Sequence, residues 1–165
     1  MMRFQSSDRF LLGIIGGTVV LVVVALVMVL TRSTPDYRPD NEPSAVVFNY
    51  LLAIQRGDYE RAYTYLSPTL PGYPSSVQKM RSDLSWLSNS NEEVSFAIAD
   101  TKINGDQATV TVRETRFYRG GLIGGSQTTS TFTMDLQRNA DGWQLIGSTS
   151  WEMWSSCWSQ KGGCS

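Results

Sequence analysis

The residues best suited to chemistry lie at the carboxyl end of the chain, in the stretch WEMWSSCWSQKGGCS. This stretch holds both cysteines of the chain, Cys157 and Cys164, and three of its five tryptophans. The spacing excludes the C-x-x-C pattern of thioredoxin-like redox sites and the C-x-x-C-H pattern of covalent haem sites. A zinc ion would need two further ligands, and the sequence has no other cysteine and no histidine. The two cysteines therefore form a disulfide or remain free thiols.

The compartment decides between these two states, because disulfides persist in oxidising surroundings. Gly162 and Gly163 give the chain the flexibility to close a small loop between the cysteines. Closing that loop would contribute about 2–3 kcal/mol on the chain-entropy model. We predict a disulfide between Cys157 and Cys164.

The tail and a glycine-rich hairpin supply candidate partner contacts. Trp151 is predicted to lie on the last strand, and Trp154 at the end of that strand on the opposite face. Trp158 falls inside the disulfide loop, where it either covers the core of the domain or contacts a partner. Tryptophan is common at the centres of protein interfaces. The segment GGLIGGSQ lacks the Gly-Lys-Ser/Thr of a phosphate loop and is predicted to be a hairpin tip. The candidate partner contacts are Leu122, Ile123, Trp154 and Trp158.

Ionisable side chains in the predicted strands are the candidates for acid–base chemistry. In the second strand, Glu114 and Arg116 continue the face of three alternating apolar residues. Glu114 could act there as a base, or both side chains could lie at the wetter end of the strand and pair with neighbours. Histidine, the commonest general base, is absent. The candidate pocket residues are Tyr50, Tyr63, Asp100, Glu114 and Arg116. We identify no catalytic set, and we predict a non-enzymatic chain with no metal and no cofactor.

An apolar segment precedes all of these residues. Phe10 to Leu30 reads FLLGIIGGTVVLVVVALVMVL and carries no charge. A helix of this length spans roughly 30 Å, the hydrocarbon thickness of a bilayer. A cleaved signal peptide would have a shorter apolar region followed by small residues at a cleavage site. We therefore predict a transmembrane helix over residues 10–30.

The flanks of this segment suggest an orientation. Residues 1–9 are short and basic and precede a large domain, which favours a cytoplasmic N-terminus and a single-pass signal-anchor in the cell membrane. The C-terminal domain would then be periplasmic or extracellular, and the Pro-rich residues 31–43 would be a linker. Small residues on one helix face allow another helix to approach closely. Gly13, Gly16 and Gly17 are the predicted helix–helix contact, through self-association or with another membrane subunit.

The remaining chain has helical and then strand periodicity. Three helices are predicted in AVVFNYLLAIQR, YERAYTYL and VQKMRSDLSWL, with Ser44, Asp58 and Ser75 or Ser76 as N-caps. Four strands are predicted in EVSFAIADTKI, QATVTVRETRFYR, TSTFTMDLQR and WQLIGSTSWEMW. Asn104-Gly105 is a strong hairpin signal. The pattern predicts the α+β class, with about three helices packed on a curved four-stranded antiparallel sheet over residues 44–155, and a tail at 156–165.

The segment YLLAIQRGDYERAYTYLSP and a last strand that starts at Gly142-Trp143 carry a family resemblance. They resemble the nuclear-transport-factor-two-like (NTF2-like) superfamily, which includes ketosteroid isomerase and scytalone dehydratase. The resemblance implies a cone-shaped α+β fold over residues 44 to about 155. Members of the superfamily are either enzymes or non-catalytic binding modules. No catalytic pair of the family maps onto specific residues here.

These observations lead to one expected function and one alternative. We expect a membrane-anchored, non-catalytic, extracytoplasmic scaffold domain that serves as an accessory subunit of a secretion or electron-transfer complex. The alternative is a tethered cone domain that binds or transforms a small apolar ligand. The net charge is −1 and no basic stripe is present, which excludes nucleic acid as a partner. A cone filled by its own aromatic residues would argue against the alternative.

Overall fold

The computed structural model describes residues 6–30, 35–84, 93–118 and 125–163, with side chains in the first helix described from 13 to 28. The chain divides into two compact units, Met1–Asp36 and Tyr37–Ser165.

The first unit contains helix α1, Ser6–Leu30. Its apolar side chains from Ile14 to Met28 are largely exposed. A bilayer requires about 20 consecutive apolar residues, and among the described residues no helix is long and apolar enough to cross a membrane. The prediction of a transmembrane helix over residues 10–30 is therefore wrong in its membrane assignment, although the segment is helical. The single-pass and signal-anchor assignments depended on that span and are corrected with it. The location of the C-terminal domain stays a prediction.

The second unit has the predicted α+β class, with helices α2 (Pro43–Arg56), α3 (Tyr59–Thr64) and α4 (Val77–Asp83). Ser44 is not an N-cap, because α2 already begins at Pro43, whose fixed φ suits the first helical turn. The caps of the two short helices are as predicted: Asp58 accepts a hydrogen bond from the Arg61 N–H, and Ser76 from the Lys79 N–H. Gly57 ends α2 in the left-handed conformation at φ 70°, which glycine adopts without strain.

The sheet consists of four antiparallel strands in the order of the sequence: β1 (Glu93–Asn104), β2 (Gln107–Tyr118), β3 (Ser126–Asn139) and β4 (Gly142–Ser148). Alternate residues of β2 and β3 face the helices, because side chains alternate between the faces of a strand. These core residues are Val110, Val112, Phe132, Met134 and Leu136. The four strands and three helices confirm the predicted α+β architecture.

The strand prediction is wrong after Ser148. The sequence WQLIGSTSWEMW alternates well enough to extend β4 to Trp154, but β4 ends at Ser148. The chain then bends, held by the Ser150 hydroxyl, which accepts a hydrogen bond from the Met153 N–H at 3.1 Å. Residues 149–163 form a tail that packs against the helices and includes a short 3₁₀ turn, Ser156–Ser159.

The second half of the predicted linker belongs to the domain. Asn49 of α2 is fully buried; its side-chain oxygen accepts a hydrogen bond from the Arg38 N–H, and its NH₂ donates to the Arg38 carbonyl at 2.7 Å. The Tyr37 hydroxyl donates to Asp58 at 3.0 Å. A buried polar side chain requires such partners, so the residues just before α2 are held in place rather than acting as a free spacer.

A close backbone approach fixes the tail to the loop between α3 and α4. The Gly72 N–H donates to the Trp158 carbonyl at 3.0 Å. A Cβ atom at position 72 would lie 2.0 Å from the Cys157 carbonyl oxygen and 2.8 Å from that of Gln160. Because both obstacles are backbone atoms, a side chain at this position must push the tail away.

Gly72→Ala is therefore expected to lower the free energy of unfolding by about 2 kcal/mol or more, in the range of substitutions that force backbone shifts. The matched control is Gly147→Ala, where the nearest atoms to an added Cβ are 3.7 Å away. Urea denaturation of both variants measures the difference. Equal stabilities would contradict the close approach at Gly72.

Candidate functional site

Residues of the tail belong to the buried core of the domain, the region where a cone-fold protein could hold a ligand. Trp158 is 0% exposed, and its indole N–H donates to the Asp83 carboxylate at 3.0 Å. Trp154 packs against it edge to face, with ring centroids 5.0 Å apart. The Tyr50 hydroxyl donates to the Met153 carbonyl at 2.7 Å, and burial raises the pKa of Tyr50. These residues therefore form a packed core, in which Tyr50 is a neutral hydrogen-bond donor.

Two of the predicted partner contacts are corrected by this arrangement. Trp154 and Trp158 are both buried, so neither is presented to a partner. The Trp154 indole N–H has no hydrogen-bond partner among the described residues, although it is buried. Apolar packing, rather than polar pairing, therefore places that ring. Leu122 and Ile123, the other predicted contacts, lie outside the described residues.

A pocket of about 390 Å³ lies beyond this core, at the end of the sheet where β4 has already stopped. We call it the Glu114 pocket. It is formed by the ends of β2 and β3 and by the first residues of the tail. Its lining residues are Glu114, Arg116, Tyr118, Thr128, Ser130, Thr131, Phe132, Thr149, Ser150, Trp151 and Glu152.

Three charged side chains meet in the Glu114 pocket. The Arg116 guanidinium forms ion pairs with the carboxylates of both Glu114 and Glu152. Both glutamates are more than nine-tenths buried, and the arginine side chain is 17% exposed. Burial of charge is costly unless each group is paired. Among the described residues one guanidinium faces two carboxylates, so this part of the cluster has one negative charge in excess.

The other lining residues make the pocket polar but not closed. Thr128, Ser130, Thr149 and Ser150 contribute small hydroxyl-bearing side chains. Trp151 is 76% exposed at the rim, where an aromatic face can attract a cation. The arrangement suits recognition of a group that donates hydrogen bonds and carries positive charge.

The sequence located part of this pocket. The alternation of β2 predicts Glu114 and Arg116 as pocket residues, and the structure brings them together. Glu152 was predicted on a strand, and only the bend after Ser148 turns it toward Arg116. One local signal points to Glu152: it is an acidic residue in a segment rich in serine and tryptophan. The strand pattern alone assigns it the wrong neighbouring residues.

The other three predicted pocket residues lie elsewhere. Tyr50 is buried in the core. The Tyr63 hydroxyl donates to the Pro74 carbonyl at 2.9 Å, with its ring beside Tyr73. Asp100 is exposed at a bulge in β1. None of the three lines the Glu114 pocket, because tertiary packing holds each one in a different part of the domain.

The remaining candidates concern the disulfide and the first helix. Cys157 is disulfide-bonded, and Cys164, its predicted partner, lies outside the described residues. A second pocket of about 250 Å³ borders Cys157, Gly72 and Lys79. At Gly13, Gly16 and Gly17 nothing in the described chain lies within 4 Å of an added Cβ, and their helix–helix contact stays a prediction. No cluster of three or more metal-ligating side chains occurs among the described residues.

Comparison with known proteins places this geometry in a fold. No protein-family model matches the sequence, and no curated protein matches it significantly. The chain is similar to a solved structure described as a putative calcium/calmodulin-dependent protein kinase type II association domain from Thiobacillus denitrificans. The TM-score is 0.50 and the identity 14%, over 67% of this chain and 95% of that chain.

Two further solved structures are described by the NTF2-like name. One is a protein of unknown function from Shewanella oneidensis, with a TM-score of 0.45 and 16% identity over 62% of this chain and 90% of that one. The other is a putative dehydratase from Streptomyces avermitilis, with a TM-score of 0.43 and 19% identity over 62% and 88%. At identities this low a structural likeness says nothing about shared activity.

Proposed function

We propose that this chain is a non-catalytic binding domain that takes a cationic ligand group at the Glu114 pocket. The observation that carries the proposal is the cluster of Glu114, Arg116 and Glu152, in which one guanidinium is shared by two buried carboxylates. An ammonium or guanidinium group entering the pocket would complete the charge balance. Charge-assisted hydrogen bonds of this kind are stronger than neutral ones.

Two arguments favour binding over catalysis. The side chains of Tyr50, Trp154 and Trp158 are buried in the core, which puts bulky aromatic residues where a cone-fold enzyme would hold a small apolar substrate. In the pocket, the Glu114 carboxylate is already held in an ion pair with the Arg116 guanidinium, which suits a binding group better than a free base. The expectation that the domain serves as a subunit of a larger assembly stays a prediction.

The proposal predicts selective binding of a small cationic probe. The probe is N-acetyl-lysine methylamide, which has one ammonium group and neutral ends, and its uncharged counterpart is N-acetyl-norleucine methylamide. Titration of the full chain, followed by tryptophan fluorescence and calorimetry, should show saturable binding of the lysine compound. We expect about tenfold weaker binding of the norleucine compound, since a charged hydrogen bond contributes roughly 1.5–3 kcal/mol.

Glu152→Gln is the test variant, because it removes the excess negative charge while keeping the shape of the side chain. We expect it to weaken binding of the lysine compound about tenfold. The matched control is Glu93→Gln at the exposed start of β1, which should bind like the wild type. Equal binding of both compounds, or binding that Glu152→Gln leaves unchanged, would refute the proposal.

A further inference from the structure

Beside the Glu114 pocket, one edge of the sheet has no strand partner in the described part of the chain. β4 pairs with β3 only from Asn139 to Met134, while β3 continues to Ser126. Among the described residues, the last backbone hydrogen bond on that edge joins the Thr149 N–H to the Thr133 carbonyl at 2.9 Å. Residues 126–131 of β3 are exposed, and none of the described residues pairs with this side of them.

The direction of the free backbone groups follows from the hydrogen bonds on either side of β3. On the β4 side, the Thr133 carbonyl accepts a hydrogen bond from the Thr149 N–H, and the Thr133 N–H donates to the Thr149 hydroxyl. The Arg138 N–H donates toward β2, to Asp106. Backbone groups alternate between the two sides of a strand, and β3 pairs with β2 without a register shift. Gln127, Thr129 and Thr131 therefore direct their N–H and C=O groups outward, toward the open edge.

The same alternation places the pocket within reach of that edge. Ser130 is the cross-strand partner of Glu114, and Thr128 is the partner of Arg116. A strand added beside β3 would put its own side chains next to these small hydroxyl groups, on the face that holds the ion cluster. Neighbouring strands lie about 4.8 Å apart, so a long side chain opposite Ser130 can extend across it toward Glu114.

We infer that the ligand of this domain is an extended peptide that adds to β3 as an antiparallel strand along residues 127–131 and places a lysine or arginine side chain in the Glu114 pocket. The inference rests on the proposed function and adds the class of ligand to it. Backbone hydrogen bonds to Thr129 and Thr131 supply affinity, and the basic side chain supplies specificity.

Charge distinguishes this occupant from a second copy of the chain. The open edge of β3 reads Ser-Gln-Thr-Thr-Ser-Thr from Ser126 to Thr131 and contains no basic residue. Two copies paired through this edge would therefore leave the excess negative charge of the pocket unbalanced. A separate peptide with a basic residue between residues of high strand propensity would form backbone hydrogen bonds with the edge of β3 and balance the charge of the pocket.

The test uses the full chain and a seven-residue peptide of alternating threonine and valine, acetylated, amidated and carrying one central lysine. In an antiparallel pair with lysine opposite Ser130, the residues on both sides of lysine direct their N–H groups toward β3. Methylating those two nitrogens should weaken binding about tenfold or more, because two backbone hydrogen bonds are lost. Methylating the lysine nitrogen and those two positions away should leave affinity unchanged.

Thr129→Pro removes one outward N–H from the protein, and proline is tolerated where an edge strand faces solvent. We expect it to weaken peptide binding at least fivefold without affecting the lysine methylamide probe, whereas Thr129→Val, which keeps the N–H, should bind both like the wild type. Peptide affinity unchanged by Thr129→Pro and by the flanking methyl groups would overturn the strand inference while the proposed function stands. Failure of the lysine probe to bind would overturn both, and a dimer of the unliganded chain that Thr129→Pro dissociates in sedimentation would assign the edge to a second copy.

Discussion

Trp158→Ala is expected to lower the free energy of unfolding by about 3–5 kcal/mol, the range for removing a fully buried large aromatic side chain. Trp158 is 0% exposed, contacts Trp154 edge to face, and donates its indole hydrogen bond to Asp83. The substitution leaves a cavity between helices and sheet and takes a hydrogen bond from a carboxylate. Chemical denaturation monitored by circular dichroism measures the loss.

The chain provides a matched control in Trp151, which has the same side chain but is 76% exposed. Trp151→Ala should change stability by no more than about 0.5 kcal/mol, as is usual for surface positions. If the two alanine variants were equally stable, the tail would not fill the interior, and the argument for binding at the Glu114 pocket would lose its basis.

Arg116→Met is expected to cost about 3 kcal/mol, because it leaves the carboxylates of Glu114 and Glu152 buried together without a counter-charge. Removing one partner of a buried ion pair typically costs 3–5 kcal/mol, and the partial exposure of Arg116 places the value at the lower end. Thermal and urea denaturation of the variant provide the measurement.

Two further variants separate charge from packing at this site. Adding Glu114→Gln to Arg116→Met removes one of the unbalanced carboxylates, so the double variant should regain at least about 1 kcal/mol. Arg113→Met, at an exposed position of the same strand, should be close to neutral. A loss at Arg113 as large as that at Arg116 would show that the ion cluster does not determine the stability of this region.

Local patterns in the sequence were sufficient to predict the helices and most of the sheet. The N-caps Asp58 and Ser76 and the C-cap Gly57 act within one helical turn. The alternation of β2 is equally local, and it placed Glu114 and Arg116 on the same face. Such features depend on neighbours a few residues away, which the printed sequence contains in full.

The tail could not be predicted in this way, because its contacts connect residues far apart in the sequence. Trp158 donates a hydrogen bond to Asp83, and Tyr50 donates one to Met153. Neither pair produces a periodic pattern in the sequence. The alternation in WEMW imitates a strand, whereas the Ser150 hydroxyl ends it by bonding to the backbone. Glu152 was assigned to the wrong element for this reason, and the pocket was recognised only in part.

The central claim is that ligand binds at the Glu114 pocket and not in the interior of the domain. The most direct measurement is a titration of the isotopically labelled full chain with N-acetyl-lysine methylamide, followed by two-dimensional amide NMR. We predict that the largest shift changes occur at Glu114, Arg116, Ser130 and Glu152, while core residues such as Tyr50 and Met134 keep their positions. Changes concentrated at the core residues, with Glu114 and Glu152 unaffected, would contradict the account.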